Sequence, residues 1–145
     1  MYKIILVPLD GSSRAEMILE HVADLAQRYK AKVIFLEVIE SPHSVVAPDG
    51  IYVPDQQIVA ERTQASQAYL TNLQGRFLEK GLDAAFRIAS GRVVDEIIET
   101  AARENADLIA MSSHGRTGLA RVFYGSVAAG VLHRIDRPLL LIRAE

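Results

Sequence analysis

Short apolar runs alternate with helix-period segments from one end of the chain to the other, and this alternation restricts the fold more than any other feature. Residues 3–8 hold Ile4, Ile5, Leu6 and Val7, and residues 31–38 hold Val33, Ile34, Phe35 and Leu36. Runs that are apolar at both odd and even positions suit strands covered on both faces, as in a parallel sheet. Residues 84–89 form a weaker run suited to a sheet edge. Residues 106–111 make a fourth, and residues 138–143 a fifth with the block Leu139, Leu140, Leu141 and Ile142. The intervening segments carry helix signals. Ser13 with Glu16 three residues on reads as a capping box, ahead of Ala15, Ile18, Leu19, Val22, Leu25, Ala26 and Tyr29 at helical spacing. A longer helix is expected over 55–80, with Tyr69, Leu73 and Phe77 four apart and Gly81 as its stop. A third begins after Ser90 and Gly91 and buries Val94, Ile97, Ile98 and Ala101. A fourth begins after Gly125, buries Val127, Val131 and Ile135, and cannot run through Pro138. The expected architecture is a three-layer α/β fold around a five-stranded parallel sheet of order 3-2-1-4-5. At 145 residues, half of them hydrophobic, the chain suits one domain over 1–145.

Composition then removes several function classes. Sixteen Lys plus Arg against eighteen Asp plus Glu give a formal net charge of −2, with no sequence-wide basic surface for nucleic acid. The absence of cysteine rules out disulfide scaffolds, thiolate metal sites and thiol catalysis, and fits a reducing, cytoplasmic setting. Aromatic residues are 6% of the chain and tryptophan is absent, so stacking platforms are not expected. The first apolar run stops at Asp10, too short for a membrane span or a signal-peptide core. One long segment, 40–54, begins at Glu40, contains Pro42, Pro48, Gly50 and Pro54, and shows no sustained periodicity. It reads equally as a lid or partner contact and as plain disorder.

In an open parallel sheet, ligands sit at the carboxyl ends of strands where the strand order reverses. Three features converge there: Pro8, Leu9, Asp10 and Gly11 after strand one; Met111, Ser112, Ser113, His114 and Gly115 at strand four; and Gly125 and Ser126 ahead of the last helix. Glycines allow close backbone approach, and the free N–H groups of a helix start attract an anion, so phosphate is the natural ligand group. Ser126 is expected to cap that helix and offer a hydroxyl, with Ser112 and Ser113 adding donors. An ordinary loop whose glycines serve turns explains the same spacing equally well. Neither a Walker-type GxxxxGK[ST] stretch nor a GxGxxG stretch after a strand is present.

The stretch from Ser112-Ser113-His114-Gly115 to Gly125-Ser126 resembles the glycine pattern of the ATP-binding branch of the universal stress protein family: Gly, two residues, Gly, nine residues, then Gly and Ser or Thr. Ser112 stands where the first glycine is expected, placing a Cβ where backbone and ligand approach. The opening Ile5-Leu6-Val7-Pro8-Leu9-Asp10-Gly11-Ser12 and the closing Arg137-Pro138-Leu139-Leu140-Leu141-Ile142 are similar to the family's ends, so the likeness spans essentially the whole chain. It implies a Rossmann-like fold of the adenine nucleotide alpha hydrolase type that binds ATP, AMP or ADP. By position, Pro8, Leu9 and Asp10 would border adenine and ribose, with Asp10 accepting from a ribose hydroxyl and Val38 and Met111 closing that side. Gly115, Arg116, Gly125, Ser126 and Val127 would surround the phosphates, with Ser112 and Ser113 near the ribose and α-phosphate and Mg²⁺ as a bridge. The resemblance also implies a homodimer through the strand that begins at Pro138 and ends at Arg143, and a stress-response role exercised through the dimer or a protein partner.

Binding rather than turnover is the expectation, because no Walker lysine, general base or pair of metal carboxylates is evident. A slow Mg²⁺-dependent ATP hydrolase or phosphotransferase, and a nucleotide-independent dimeric module, are the alternatives. Ser12 and Ser13 lack a GxSxG setting, and His114 has no neighbouring acid, His or Cys, so turn and cap roles are favoured for them. Arg116 reads equally as a phosphate contact and as a solvent-facing residue, and Arg121 is the weaker candidate. A phospho-accepting receiver domain would need acidic residues and a lysine that this chain lacks at the corresponding strand ends.

Overall fold

In the computed structural model the described residues are 1–40, 45, 46, 52, 53, 56–113 and 125–144. The chain runs β1 (Ile4–Leu9), a 3₁₀ turn (Ala15–Ile18), α1 (Leu19–Tyr29), β2 (Lys32–Ile39), β3 (Val45–Val46), β4 (Tyr52–Val53), α2 (Gln56–Glu79), β5 (Ala84–Ser90), α3 (Val93–Arg103), β6 (Leu108–Ser113), α4 (Ser126–Arg134) and β7 (Leu139–Arg143). The main sheet has the order β5-β2-β1-β6-β7, and every pairing within it is parallel. Counting only its five strands, this is 3-2-1-4-5, as the apolar pattern predicts. β5 and β7 are its edges. The two-residue strands β3 and β4 pair antiparallel inside the 40–54 segment, the rest of which lies outside the described residues.

Period-two alternation divides the strand side chains between two cores. Ile5, Val7, Leu9, Val33, Phe35, Leu108 and Ala110 pack with Ile18, Leu19 and Val22 and with Leu70, Leu73 and Phe77 of α2. Leu6, Ile34, Leu36, Ile109 and Met111 face the other way, onto Ile97 and Ala101 of α3 and Ala128 and Val131 of α4. Phe35 and Phe77 meet edge to face at 4.9 Å and lock α2 to the first face. These two covered faces explain why the central strands read as unbroken apolar runs.

Several details depart from the sequence reading. The first helix starts as a 3₁₀ turn, and the hydroxyl that meets its amides is that of Ser12, accepting from Ala15 N–H at 3.2 Å, rather than that of Ser13. Asp10 Oδ1 accepts from Ser12 N–H and Oγ–H at 2.9 and 2.6 Å, so the turn after β1 orients Ser12 for the cap. The last helix is capped by Gly125, with Ser126 as its first helical residue and no side-chain cap bond. Ala128 and Val131 are the buried members of that helix, whereas Val127 and Ile135 are only partly buried. α2 ends where expected, with Gly81 N–H donating to Leu78 C=O and Leu82 N–H to Phe77 C=O.

Candidate functional site

The register of β1 opens the site. β1 pairs with β2 along its whole length, from Ile4 opposite Lys32 to Leu9 opposite Glu37. With β6 it pairs only at Ile5 with Leu108 and Leu6 with Ile109, so the two strands part beyond that point. A cleft of about 930 Å³ lies across this fork, at the carboxyl ends of the strands. Its size is near the upper end of small-molecule sites.

Of the residues singled out from the sequence, Pro8, Leu9, Asp10, Val38, Met111, Ser112, Gly125, Ser126 and Val127 all line the cleft. Ser113 does not: it is buried one position along β6 and falls outside the cleft wall. Gly115 and Arg116, with His114 and Arg121, lie outside the described residues. Ser112 is also buried, and its hydroxyl donates to Ala15 C=O at 3.2 Å. Its single proton therefore ties β6 to the 3₁₀ turn, where the sequence reading had it serving a ligand. Ser112 is not among the residues with positive φ, so the serine at the first glycine position carries no left-handed strain.

At the far end, Gly125 has φ 78° and ψ 148°, a backbone region that is almost exclusively glycine's. Its carbonyl accepts from Ala129 N–H at 3.0 Å. The N–H groups of Ser126, Val127 and Ala128 belong to the first turn and have no intrahelical carbonyl to meet. They form the anion-favouring end of the cleft.

The sequence reading missed one wall. Glu37 of β2 and Arg62, Ser66 and Tyr69 of α2 also line the cleft. Glu37 follows Phe35 on the face that packs against α2. Burial is the main reason its carboxyl titrates above the ordinary carboxylate range; the Asp10 carboxylate pushes in the same direction, and Ser66 opposes both. Burial likewise raises the Tyr69 phenol, helped by Glu16, Glu37 and Asp10 and resisted by Arg76, so Tyr69 is a neutral hydroxyl at physiological pH. Glu37 Oε2, Ser66 Oγ and Tyr69 Oη are all buried without a hydrogen bond. Ser66 thus lies near the Glu37 carboxyl without a bond of acceptable geometry between them. The signals were present in the sequence: an acid inside the apolar run of β2, and a serine on the stripe that carries Leu70, Leu73 and Phe77.

A doubly wound parallel sheet with helices on both faces and a fork between neighbouring strands is the architecture whose ligands sit at such a switch point. The universal stress protein family model matches residues 1–143. Universal stress protein MJ0577 of Methanocaldococcus jannaschii is 27% identical over 157 aligned positions, covering all of this chain and 97% of that one. A universal stress protein A homolog of Coxiella burnetii is 32% identical over 132 positions, covering 91% and 90%. A solved structure of MJ0577 superimposes with a TM-score of 0.84 at 28% identity, over 100% of this chain and 98% of that one. A universal stress protein in complex with cAMP has a TM-score of 0.74 at 22% identity, over 99% and 98%. One from Archaeoglobus fulgidus in complex with dAMP has a TM-score of 0.66 at 17% identity, over 98% of each chain. The chain belongs to the universal stress protein family.

Proposed function

We propose that this chain is an adenine-nucleotide-binding stress protein that acts through a nucleotide-dependent dimer or partner contact. The observation that carries this reading is the fork between β1 and β6, which sets Asp10 on one side and the α4 N-terminus on the other. A nucleotide laid across it would place its phosphates against the amides of Ser126 and Val127, a ribose hydroxyl against Asp10, and the base toward Val38 and Met111. Apolar walls and backbone donors suit a base and a phosphate. The cAMP and dAMP complexes of structural neighbours support the same ligand class. Gly115 and Arg116 complete the phosphate end in this reading, and Mg²⁺ would bind chiefly through the phosphate oxygens, because among the described residues no three acid, His or Cys side chains gather to hold a metal. In this reading the protein binds nucleotide without turning it over: among the described residues beside α4, Met111, Ser112, Ser126 and Val127 offer no general base.

β7 supports the dimer. It is an edge strand, and Leu139, Leu140, Leu141 and Ile142 are each only partly buried. An apolar edge of this kind pairs well with the same strand of a second copy. Mass spectrometry of ligand released from the purified protein, then titration with ATP and AMP with and without Mg²⁺, tests the nucleotide reading. Binding should be lost in Gly125→Val with the sedimentation behaviour of the dimer unchanged. No co-purifying nucleotide and no titration signal would refute the proposal.

A further inference from the structure

The α2 side of the cleft contains polar atoms that the nucleotide reading does not use. Three buried oxygens, Glu37 Oε2, Ser66 Oγ and Tyr69 Oη, lack hydrogen-bond partners among the described residues, and the residues that carry them line one wall of the cleft. Ser66 is 3% exposed, so bulk water does not meet its hydroxyl. Leaving buried polar atoms unmet is costly, and native proteins rarely do so without a reason in function. Ser66 and Tyr69 stand three apart on one face of α2, and Glu37 reaches the same face from the end of β2.

The charges around these oxygens decide what they hold. Glu37 and Asp10 are carboxylates that feel one another. Glu16 adds a third but is paired with Arg76 at 3.8 Å. Glu40 and the exposed Arg62 stand at the rim. The inner wall is therefore net negative, and all three unmet oxygens can accept a hydrogen bond. An amino group with several N–H donors and full or partial positive charge matches both properties. A divalent cation matches less well: two of the three oxygens are neutral hydroxyls, and Asp10 Oδ1 is already bonded to Ser12.

We propose that Glu37, Ser66 and Tyr69 form an acceptor subsite on the α2 wall of the cleft that takes a donor-rich amino group. Two sources supply that chemistry: the exocyclic amine of a base held in the cleft, or a separate organic ammonium beside the nucleotide. The subsite stands on the unmet oxygens and does not require the nucleotide reading to be right.

Calorimetric titration of the full chain with AMP, with purine riboside 5′-monophosphate, which lacks the 6-amino group, and with 1,4-diaminobutane distinguishes the cases. The variants are Glu37→Leu and Tyr69→Phe, with circular dichroism as the check on folding. If the base supplies the amine, wild type should prefer AMP over the deaminated analogue by about tenfold or more, falling below about threefold in both variants. If the amine is separate, 1,4-diaminobutane should bind wild type with or without AMP and weaken about tenfold in both variants. Equal affinity for AMP and its analogue together with no diaminobutane binding would overturn the subsite, as would unchanged preferences in the variants or displacement of diaminobutane by an equal concentration of MgCl₂. Should neither nucleotide bind, the nucleotide reading fails, and the diaminobutane titration alone still decides the subsite.

Discussion

The two walls of the cleft rise from the same strand ends and differ in what they contribute. On the α3 and α4 side, Leu36, Ile97, Met111 and Ala128 are at most 5% exposed and continue the second core without a break. On the α2 side, the first core stops at Leu9 and gives way to Glu37, Ser66 and Tyr69, whose polar tips are buried and unmet. One wall stabilises the fold while offering a ligand an apolar surface. The other lowers stability in the absence of a ligand, a cost that binding can offset. Substitutions on the two walls should therefore move stability in opposite directions.

The largest effect belongs to the apolar wall. Ile97 is fully buried beneath the cleft, and Ile97→Ala should lower unfolding free energy by about 2–5 kcal/mol in urea denaturation. A loss below 1 kcal/mol, on the scale of a surface change, would mean that this wall is not continuous with the core. Gly130 comes next. A Cβ built there would lie 2.7 Å from Val94 Cγ2, so α3 and α4 meet at this glycine. Gly130→Ala should cost about 1–3 kcal/mol despite the better helix propensity of alanine, and Val94→Ala in the same chain should recover part of it. Because α4 carries the N–H groups at the phosphate end, the same variant should weaken AMP binding. Full AMP affinity in a destabilised Gly130→Ala protein would separate the helix packing from the site.

On the polar wall the sign reverses. Glu37→Leu removes a buried carboxyl oxygen that has no partner and leaves an apolar side chain on the β2 face that packs against α2, so the thermal midpoint should rise, with a gain of about 1 kcal/mol. Destabilisation would show that Glu37 is held by structure and would remove the contrast between the walls.

The apolar wall was legible in the sequence because burial leaves a periodic trace. Residues 33–36 and 108–111 are uninterrupted apolar runs, and their pairing order follows from the alternation of strands and helices. Asp10, Gly125 and Ser126 were legible because they stand at the chain reversals where such sheets bind ligands. The polar wall was missed for a physical reason. Tyr69 sits four residues from Leu73 and counts as core by spacing, yet it packs against the first core only in part and also lines the cleft. Whether Glu37 points into a cleft or into solvent depends on α2 crossing that face of the sheet, which no local pattern states. Ser12 and Ser13 are equally good caps by composition, and only the bond from Ser12 to Asp10 selects between them.

The smallest expected effect is a pH slope, and it bears directly on what fills the polar wall. Glu37 titrates above its unfolded value of 4.5, so the folded state holds a proton that the unfolded state has released. Stability must then fall as pH rises from about that unfolded value through the folded one, the opposite of a salt-bridged carboxylate. The groups around Glu37 in the cleft set the slope: Asp10 just after β1, Ser66, Arg62 and Tyr69 on α2, and Glu40 just after its own strand. In Glu37→Gln this component should vanish, leaving wild type progressively less stable than the variant as pH rises. If the amine is a separate ammonium, saturating 1,4-diaminobutane should also remove it in wild type, because a bound ammonium favours the ionised carboxylate and draws its titration back down. Purine riboside monophosphate, which brings no amino group to this wall, should leave the slope in place. Urea midpoints measured across pH 4–8 read all of these outcomes, and a wild-type slope identical to that of Glu37→Gln would show that the Glu37 carboxyl is solvated and the polar wall is an ordinary surface.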